Sequence, residues 1–196
     1  MHKNNSMKTL ILTPIIILLA IGCKKIDKKV EIIPNPKIEE KTPKAKALSY
    51  AIETKELLGK NLQEKMKQGG AENALEFCNV NAIPLTESVA KNHKINIKRV
   101  SDQPRNQLNI ANEKEIKYIN LFKERIANGE KLKPEVVTQQ LYVPIITNPM
   151  CLQCHGKIEE SNPKLATKIK QLYPKDKATG YSENQVRGIF VVNLPK

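Results

Sequence analysis

The chain has 196 residues, a formal charge of +13 at pH 7 and only 4% aromatic residues, with no tryptophan. This length is enough for one domain with a buried core. The lysine excess fits a solvated surface, an anionic membrane or an acidic protein partner. Bases stack on aromatic side chains, which are scarce here, so nucleic acid is not expected as a partner.

The first 22 residues have the pattern of a secretory signal peptide. Lys3 and Lys8 precede an apolar run at residues 10–21, which is too short to span a bilayer. Residues 19–23, LAIGC, resemble a bacterial lipobox, and this predicts cleavage before Cys23 and a lipid on its thiol. An ordinary membrane anchor is the alternative. Both interpretations make the membrane a partner and predict a location in the cell envelope, on its periplasmic or extracytoplasmic face.

Composition divides the chain into three parts. Residues 1–22 form the predicted lipoprotein signal peptide. Residues 23–46 combine Pro34, Pro36 and Pro43 with lysines and glutamates and show little apolar periodicity, which predicts a lipidated, disordered tether. Residues 47–196 are predicted to form a single domain.

Helices are predicted first within this domain. An apolar stripe begins at Ala47 and ends at Gly69-Gly70, which predicts a helix of about twenty residues. A shorter helix over residues 71–79 would turn Cys78 inward with its apolar neighbours. A third helix is predicted after Pro84, and the alternation over residues 95–100 predicts a half-buried strand.

The second half of the domain mixes both element types. Asn112 and Glu115 resemble a capping box that opens a helix ending at residues 128–129. Residues 141–143 favour a strand, and Pro144 predicts that it is an edge strand or an irregular one. A helix over residues 161–172 and a terminal strand over residues 187–194 complete the prediction.

Cys151, Cys154 and His155 form a Cys-x-x-Cys-His motif, the attachment site of c-type haem. The two thiols add to the vinyl groups of the porphyrin, and the adjacent imidazole ligates the iron. A redox dithiol, a structural zinc site and a plain disulfide are the alternatives. The motif predicts one covalently bound haem c, with His155 as its proximal axial ligand.

The cysteine count leaves one thiol over. Of four cysteines, Cys23 is predicted to carry lipid and two to carry haem, so Cys78 remains. A lone thiol in an oxidising compartment is either buried and inert or has a task. Cys78, His93, Met66 and an open or water-bound site are the alternatives for the far face of the haem.

Several short segments spread over residues 57–194 form a recognisable pattern: Gly69-Gly70, Ala74-Leu75 before Cys78, Arg99-Val100-Ser101, Arg105-Asn106, Cys151 to Gly156, Tyr173 to Tyr181, and Arg187-Gly188. In their order and spacing they resemble the Tll-type c-haem proteins, a bacterial family with a PAS-like fold. The chain departs from the family pattern at Gln107, Ile110 and Asn184-Gln185, which lie in predicted loops.

The resemblance implies an α+β fold: a PAS-like domain with an antiparallel sheet, N-terminal helices and one covalently attached c-type haem. It also implies that the thiolate of Cys78 is the distal axial ligand, opposite His155. Arg99 and Arg105 are predicted to contact the haem propionates, because guanidinium binds carboxylates in a bidentate manner. A surface or loop-bracing role for these arginines is the alternative.

A thiolate ligand lowers the reduction potential, and a six-coordinate iron has no vacant position for a substrate. We therefore expect a membrane-anchored redox or small-ligand sensor, which passes its signal to a separate redox or signalling protein. A low-potential electron-transfer cytochrome is the first alternative. A haem enzyme with an open distal site is the second, although the sequence offers no convincing catalytic nucleophile and base.

Overall fold

The computed structural model describes residues 42–195, so the predicted signal peptide, Cys23 and most of the predicted tether lie outside the described residues. The described part has an α+β fold with a four-stranded antiparallel sheet, as predicted. No helix within residues 42–195 is both long and apolar enough to cross a bilayer. The elements are α1 (Pro43–His93), β1 (Ile97–Val100), α2 (Glu113–Ala127), β2 (Glu135–Val137), β3 (Gln140–Ile146), α3 (Pro149–His155), α4 (Ile158–Ser161), α5 (Pro163–Leu172) and β4 (Val186–Asn193), with a 3₁₀ turn at Gln107–Asn109.

Helix α1 begins inside the predicted tether. The Thr42 hydroxyl accepts a hydrogen bond from the Ala45 backbone N–H at 3.1 Å, and Pro43 occupies the first helical position. This N-cap and proline pair is a strong local start signal, which composition alone does not register. The prediction of disorder is therefore wrong for residues 43–46.

The predicted helix end at Gly69-Gly70 is confirmed, because both residues have non-helical backbone angles and the contacts of His93 with Tyr50 and Glu53 require the chain to fold back there. Helix α1 therefore consists of two helical arms, residues 43–68 and 71–93. Gly69 has φ −164° and Gly70 has φ +70°, and the positive angle is one that glycine adopts without steric cost.

The predicted break before Pro84 is wrong, because the helix continues through this residue to His93. A proline removes one backbone hydrogen bond, and the packing of Thr86 and Val89 into the interior outweighs that loss.

The sheet has the strand order β1-β4-β3-β2, with β4 between β1 and β3. The prediction that Pro144 makes β3 an edge strand or an irregular one is confirmed around Pro144, since both β2 and β4 flank β3 only at residues 140–142 and the register with β4 shifts between Ile145 and Ile146. Pairing with β2 covers β3 only as far as Tyr142, and Pro144 lies beyond that point, opposite Ile189 of β4. The missing N–H of Pro144 therefore breaks no bond on the β2 side.

Apolar side chains pack on both faces of the sheet. On one face, Ile119 and Phe122 of α2 pack against Tyr142 and Ile189. On the other, the two ends of α1 pack against Leu141, Phe190 and Val192. A third cluster joins the middle of α1 to α4 and α5, and Cys154 and Tyr173 lie at its edge; its buried members are Leu75, Ile158, Leu165, Ala166 and Ile169.

Candidate functional site

The Cys-x-x-Cys-His motif lies on the short helix α3. The Asn148 side chain caps this helix by accepting from the Cys151 backbone N–H at 3.1 Å, and Pro149 occupies its first turn. Residues three positions apart on a helix lie on one face, so α3 presents Cys151 and Cys154 on the same side. Both are free thiols and half-buried.

Gly156 ends α3 directly after the histidine. Its backbone N–H donates to the Leu152 carbonyl at 2.9 Å. A Cβ atom at this position would lie 2.7 Å from the same carbonyl oxygen, closer than real Cβ atoms come. The chain can therefore turn away after His155 only because this residue has no side chain.

The His155 ring is held in one tautomer. Its Nδ1 lies 2.6 Å from the Ala178 carbonyl oxygen, which can only accept, so Nδ1 carries the proton and Nε2 keeps a free lone pair. Burial lowers the pKa of His155 well below its usual value, and the positive charges of Arg105 and Arg187 lower it further. A neutral imidazole with a free Nε2 is the form that binds a metal.

The segment at residues 176–181 wraps around the end of α3. The Tyr181 backbone N–H donates to the His155 carbonyl at 2.9 Å, and the Gly180 N–H donates to the Gly156 carbonyl at 2.9 Å. The Tyr181 ring stands edge-on to the His155 ring, with 6.4 Å between their centroids and 85° between their planes. These contacts fix the orientation of the imidazole from the side that faces residues 176–181.

Arg105 joins the motif to this segment. Its Nη2 donates to the Cys154 carbonyl at 2.7 Å and to the Ala178 carbonyl at 3.3 Å. Its Nε and Nη2 each lie 3.3 Å from an Asp176 carboxylate oxygen, and only 10% of its side chain is exposed. The guanidinium is thus engaged by protein acceptors that brace the carbonyls beside Cys154 and His155.

Helix α1 brings Cys78 to this motif. Burial raises the pKa of the half-buried Cys78 thiol, while the positive charges of Arg99 and Arg105 act in the opposite direction. The charge of Cys78 also contributes to raising the pKa of Cys154, after burial, which is the larger cause. Leu75, one helical turn before Cys78, and Cys154 belong to the same apolar cluster, so the stretch of α1 that carries Cys78 packs beside the motif.

Arg99 reaches the same place from β1. Its Nη2 donates to the Ala82 carbonyl of α1 at 3.2 Å, and its Nε is buried without a partner among the described residues. Burial lowers the pKa of Arg99, and the neighbouring Cys78 opposes this effect. The sequence-predicted residues Cys78, Arg99, Arg105 and His155 thus converge on one site.

His93 lies outside this site. Its Nε2 is 2.7 Å from a Glu53 carboxylate oxygen, and its ring stacks on Tyr50 with 4.1 Å between centroids. These contacts join the C-terminal turn of α1 to its first half. Within the described residues, no three His, Cys, Asp or Glu side chains are arranged to hold a bare metal ion.

The family model Tll0287-like matches residues 34–195. The chain belongs to the Tll0287-like family. One solved structure similar to it is that of the cyanobacterial haem protein Tll0287, with 18% sequence identity and a TM-score of 0.57. The alignment covers 77% of this chain and 93% of that chain, so the two share a fold. No curated protein matches the chain.

Sequence reasoning assigned no site role to Arg187. This residue of the Tll0287-like chain donates from Nη1 to the Ser101 hydroxyl at 2.8 Å and to the Gln103 carbonyl at 3.1 Å. Its guanidinium lies over the Tyr181 ring, 5.4 Å from the centroid. In the sequence, this place is marked only by the glycine that follows Arg187. A Cβ atom at Gly188 would clash with the Val100 carbonyl oxygen, so glycine lets β4 approach β1 closely there.

Proposed function

We propose that the chain binds one haem c, attached through thioethers to Cys151 and Cys154 and ligated by His155. The observation that carries this proposal is the His155 ring itself, with Nδ1 bound to a carbonyl and Nε2 free, one residue after a pair of free thiols on one helix face. Family membership and the likeness to the fold of a haem protein support it.

Cys78 is the proposed distal ligand. Its thiol is near Cys154 and two arginines, while His93 is held by Glu53 and Tyr50. Leu75, one turn before Cys78, packs into the cluster beneath α3, and this contact holds that stretch of α1 against the motif. A thiolate opposite the imidazole would give a bound haem iron two axial ligands and six-coordination.

The balance of charges at Cys78 favours a sensor. When bound, the haem supplies a one-electron couple and an iron centre that exchanges ligands. Burial favours the neutral thiol of Cys78, whereas Arg99 and Arg105 favour the thiolate. A thiolate that leaves the iron on protonation, on reduction or in competition with a small molecule would make the haem a switch. We propose a redox or small-ligand sensor on this basis.

A lipid on Cys23 would anchor this sensor in the cell envelope, on the periplasmic or extracytoplasmic face. The described domain would then pass its signal or its electrons to a separate redox or signalling protein. A low-potential electron carrier is the second proposed function, and it requires that Cys78 stay bound in both redox states. A haem enzyme requires instead that the distal position be open.

The first experiment measures covalent attachment. The protein is produced with cytochrome maturation factors, and its mass and pyridine haemochrome spectrum are recorded. The expected mass exceeds that of the mature polypeptide and its lipid by one haem, and a Cys151→Ala, Cys154→Ala variant should lose that increment. A wild-type mass without haem would remove the proposed function.

The second experiment tests Cys78. Cys78→Ala should change the ferric and ferrous absorption spectra, because the distal thiolate is lost, and His93→Ala should leave both unchanged. If Cys78→Ala has wild-type spectra, thiolate ligation is wrong. Carbon monoxide added to the ferrous wild-type protein then separates the functions: binding that displaces Cys78 supports a sensor, and no binding supports an electron carrier.

A further inference from the structure

Two arginines at the site have no acidic partner within residues 42–195. Arg99 bonds only the Ala82 carbonyl, and Arg187 bonds the Ser101 hydroxyl and the Gln103 carbonyl, which are neutral acceptors. Both side chains are half-buried, and both Nε atoms are enclosed without a partner among residues 42–195. Neither guanidinium forms an ion pair in this part of the chain.

Such an arrangement is unfavourable for the protein alone. Burial lowers the pKa of Arg99 and of Arg187, and the charge of Arg187 lowers the pKa of Arg99 further. Like charges that are near each other and partly withdrawn from water repel strongly unless an anion lies between them or beside them. The Tyr181 ring lies over Arg187, and the nearby Tyr181 hydroxyl is a neutral acceptor that does not cancel the charge.

Arg105 differs in this respect. Its guanidinium is paired with Asp176, whose side chain is 8% exposed, and its other donors hold the Cys154 and Ala178 carbonyls. The charge of Asp176 also acts on Arg187, yet this carboxylate is hydrogen-bonded to Arg105. Three guanidinium groups therefore share one bonded carboxylate, which leaves a surplus of two positive charges.

The positions of the two unpaired arginines are also informative. Arg99 lies on β1, and its Nη2 donates to the Ala82 carbonyl, one helical turn after Cys78. Arg187 lies at the start of the neighbouring strand β4, and its guanidinium lies over the Tyr181 ring, which stands edge-on to His155. One arginine is thus beside the proposed distal ligand, the other is beside the proposed proximal ligand, and adjacent strands carry them.

We infer that Arg99 and Arg187, and not Arg105, hold the two haem propionates. This inference rests on the proposed function, because a haem brings two carboxylates, the number that the surplus charge requires. Guanidinium groups bind carboxylates in a bidentate manner, and among residues 42–195 no hydrogen bond engages Nη1 of Arg99 or Nη2 of Arg187. Arg105 is a positioning residue for the attachment motif.

The test uses the holoprotein. Arg99→Gln and Arg187→Gln should each shift the propionate bending band in the resonance Raman spectrum and lower the reduction potential, because an uncompensated carboxylate favours the ferric form. Arg99→Lys and Arg187→Lys keep the charge without the fork, so they should shift the same band with a smaller change in potential. Arg125→Gln, which breaks an ion pair with Glu135 on α2 and β2, should change neither quantity.

The outcomes separate this inference from the proposed function. If the protein carries covalent haem but the band and potential of the Gln and Lys variants match the wild type, the propionate assignment is wrong and haem binding stands. The assignment is equally wrong if Arg105→Lys, and neither Arg99→Lys nor Arg187→Lys, shifts the propionate band. Where a Gln variant does not fold, the matching Lys variant decides the result, since it keeps the buried charge and stem.

Discussion

At Gly156 a single missing side chain allows α3 to end directly after His155. The Leu152 carbonyl oxygen accepts the backbone N–H of Gly156, and it would lie only 2.7 Å from a Cβ atom on Gly156. The chain turns back after Gly156, and the Gly156 carbonyl accepts a hydrogen bond from the Gly180 N–H. The glycine therefore acts through the backbone and needs no contact with the haem.

Gly156→Ala should lower the free energy of unfolding by about 1–3 kcal/mol, because the backbone around Leu152 must move to admit the methyl group. Chemical denaturation monitored by circular dichroism measures this change. Gly59 is the matched control, since a Cβ atom there meets nothing within 4 Å. Gly59→Ala should raise the stability by about 0.5–1 kcal/mol, and an equal loss in both variants would contradict the argument.

Tyr173 provides a prediction about pH. Burial raises its pKa from 10.0 to about 12, and the charge of Cys78 adds to this effect. The folded protein keeps this phenolic proton at pH values where the unfolded chain releases it. The resulting contribution to stability is complete below pH 10 and is lost as the pH rises toward 12.

A tyrosinate absorbance titration of the folded protein checks this prediction. Wild-type protein should show a late step near pH 12, and Tyr173→Phe should lack it. Tyr50→Phe, which changes a ring stacked on His93 at the other end of α1, should keep the late step. A step that persists in Tyr173→Phe would mean that another tyrosine is responsible.

At the scale of elements, α1 owes its form to two special residue types. Gly69-Gly70 separates its two helical arms, and Pro84 lies inside the second arm without ending it. Pro84 cannot donate to the Val80 carbonyl one turn earlier. The helix that carries Cys78 nevertheless continues through it, because Thr86 and Val89 of the same arm are buried in the interior.

Pro84→Ala should stabilise the protein by up to about 3 kcal/mol, since alanine restores a backbone donor and removes the clash of the ring with the preceding turn. Thermal unfolding should register a higher midpoint. Pro43→Ala is the control, because the first helical position has no backbone partner to regain. If Pro84→Ala is instead less stable than the wild type, the proline itself stabilises the path that α1 takes.

Across the whole molecule, the site depends on the docking of α1 against α4 and α5. Leu75 is 3% exposed and packs with Ile158 and Leu165, one helical turn away from Cys78. Arg99 and Arg105 approach from the sheet and its following loop. The site therefore joins parts of the chain that are far apart in sequence, and only their packing brings them together.

Leu75→Ala should cost about 2–5 kcal/mol of unfolding free energy, because it leaves a cavity between α1 and the helices after the motif. Val80→Ala is the matched control, since this side chain is 68% exposed on the same helix and its loss should change little. Denaturant unfolding of both variants measures the difference. Similar values for the two variants would mean that α1 does not depend on this cluster.

The sequence by itself determined the features that rest on local chemistry. The capping box at Asn112 and Glu115 and the terminal strand are confirmed. So is the α+β fold with its antiparallel sheet. The Cys-x-x-Cys-His motif is equally local, because its spacing alone places both thiols on one turn of helix. Such patterns can be read directly because their atoms are a few residues apart.

Only the tertiary structure decided which distant groups meet. Pro144 predicted an edge or irregular strand, but it did not predict that β2 pairs with residues 140–142 and stops before the proline, because no local pattern encodes where a partner strand ends. Arg99 and Arg105 looked equivalent in sequence, yet only Arg105 meets Asp176. The packing of the entire chain determines the partner of a charged side chain, because long-range contacts decide which oppositely charged group lies beside it.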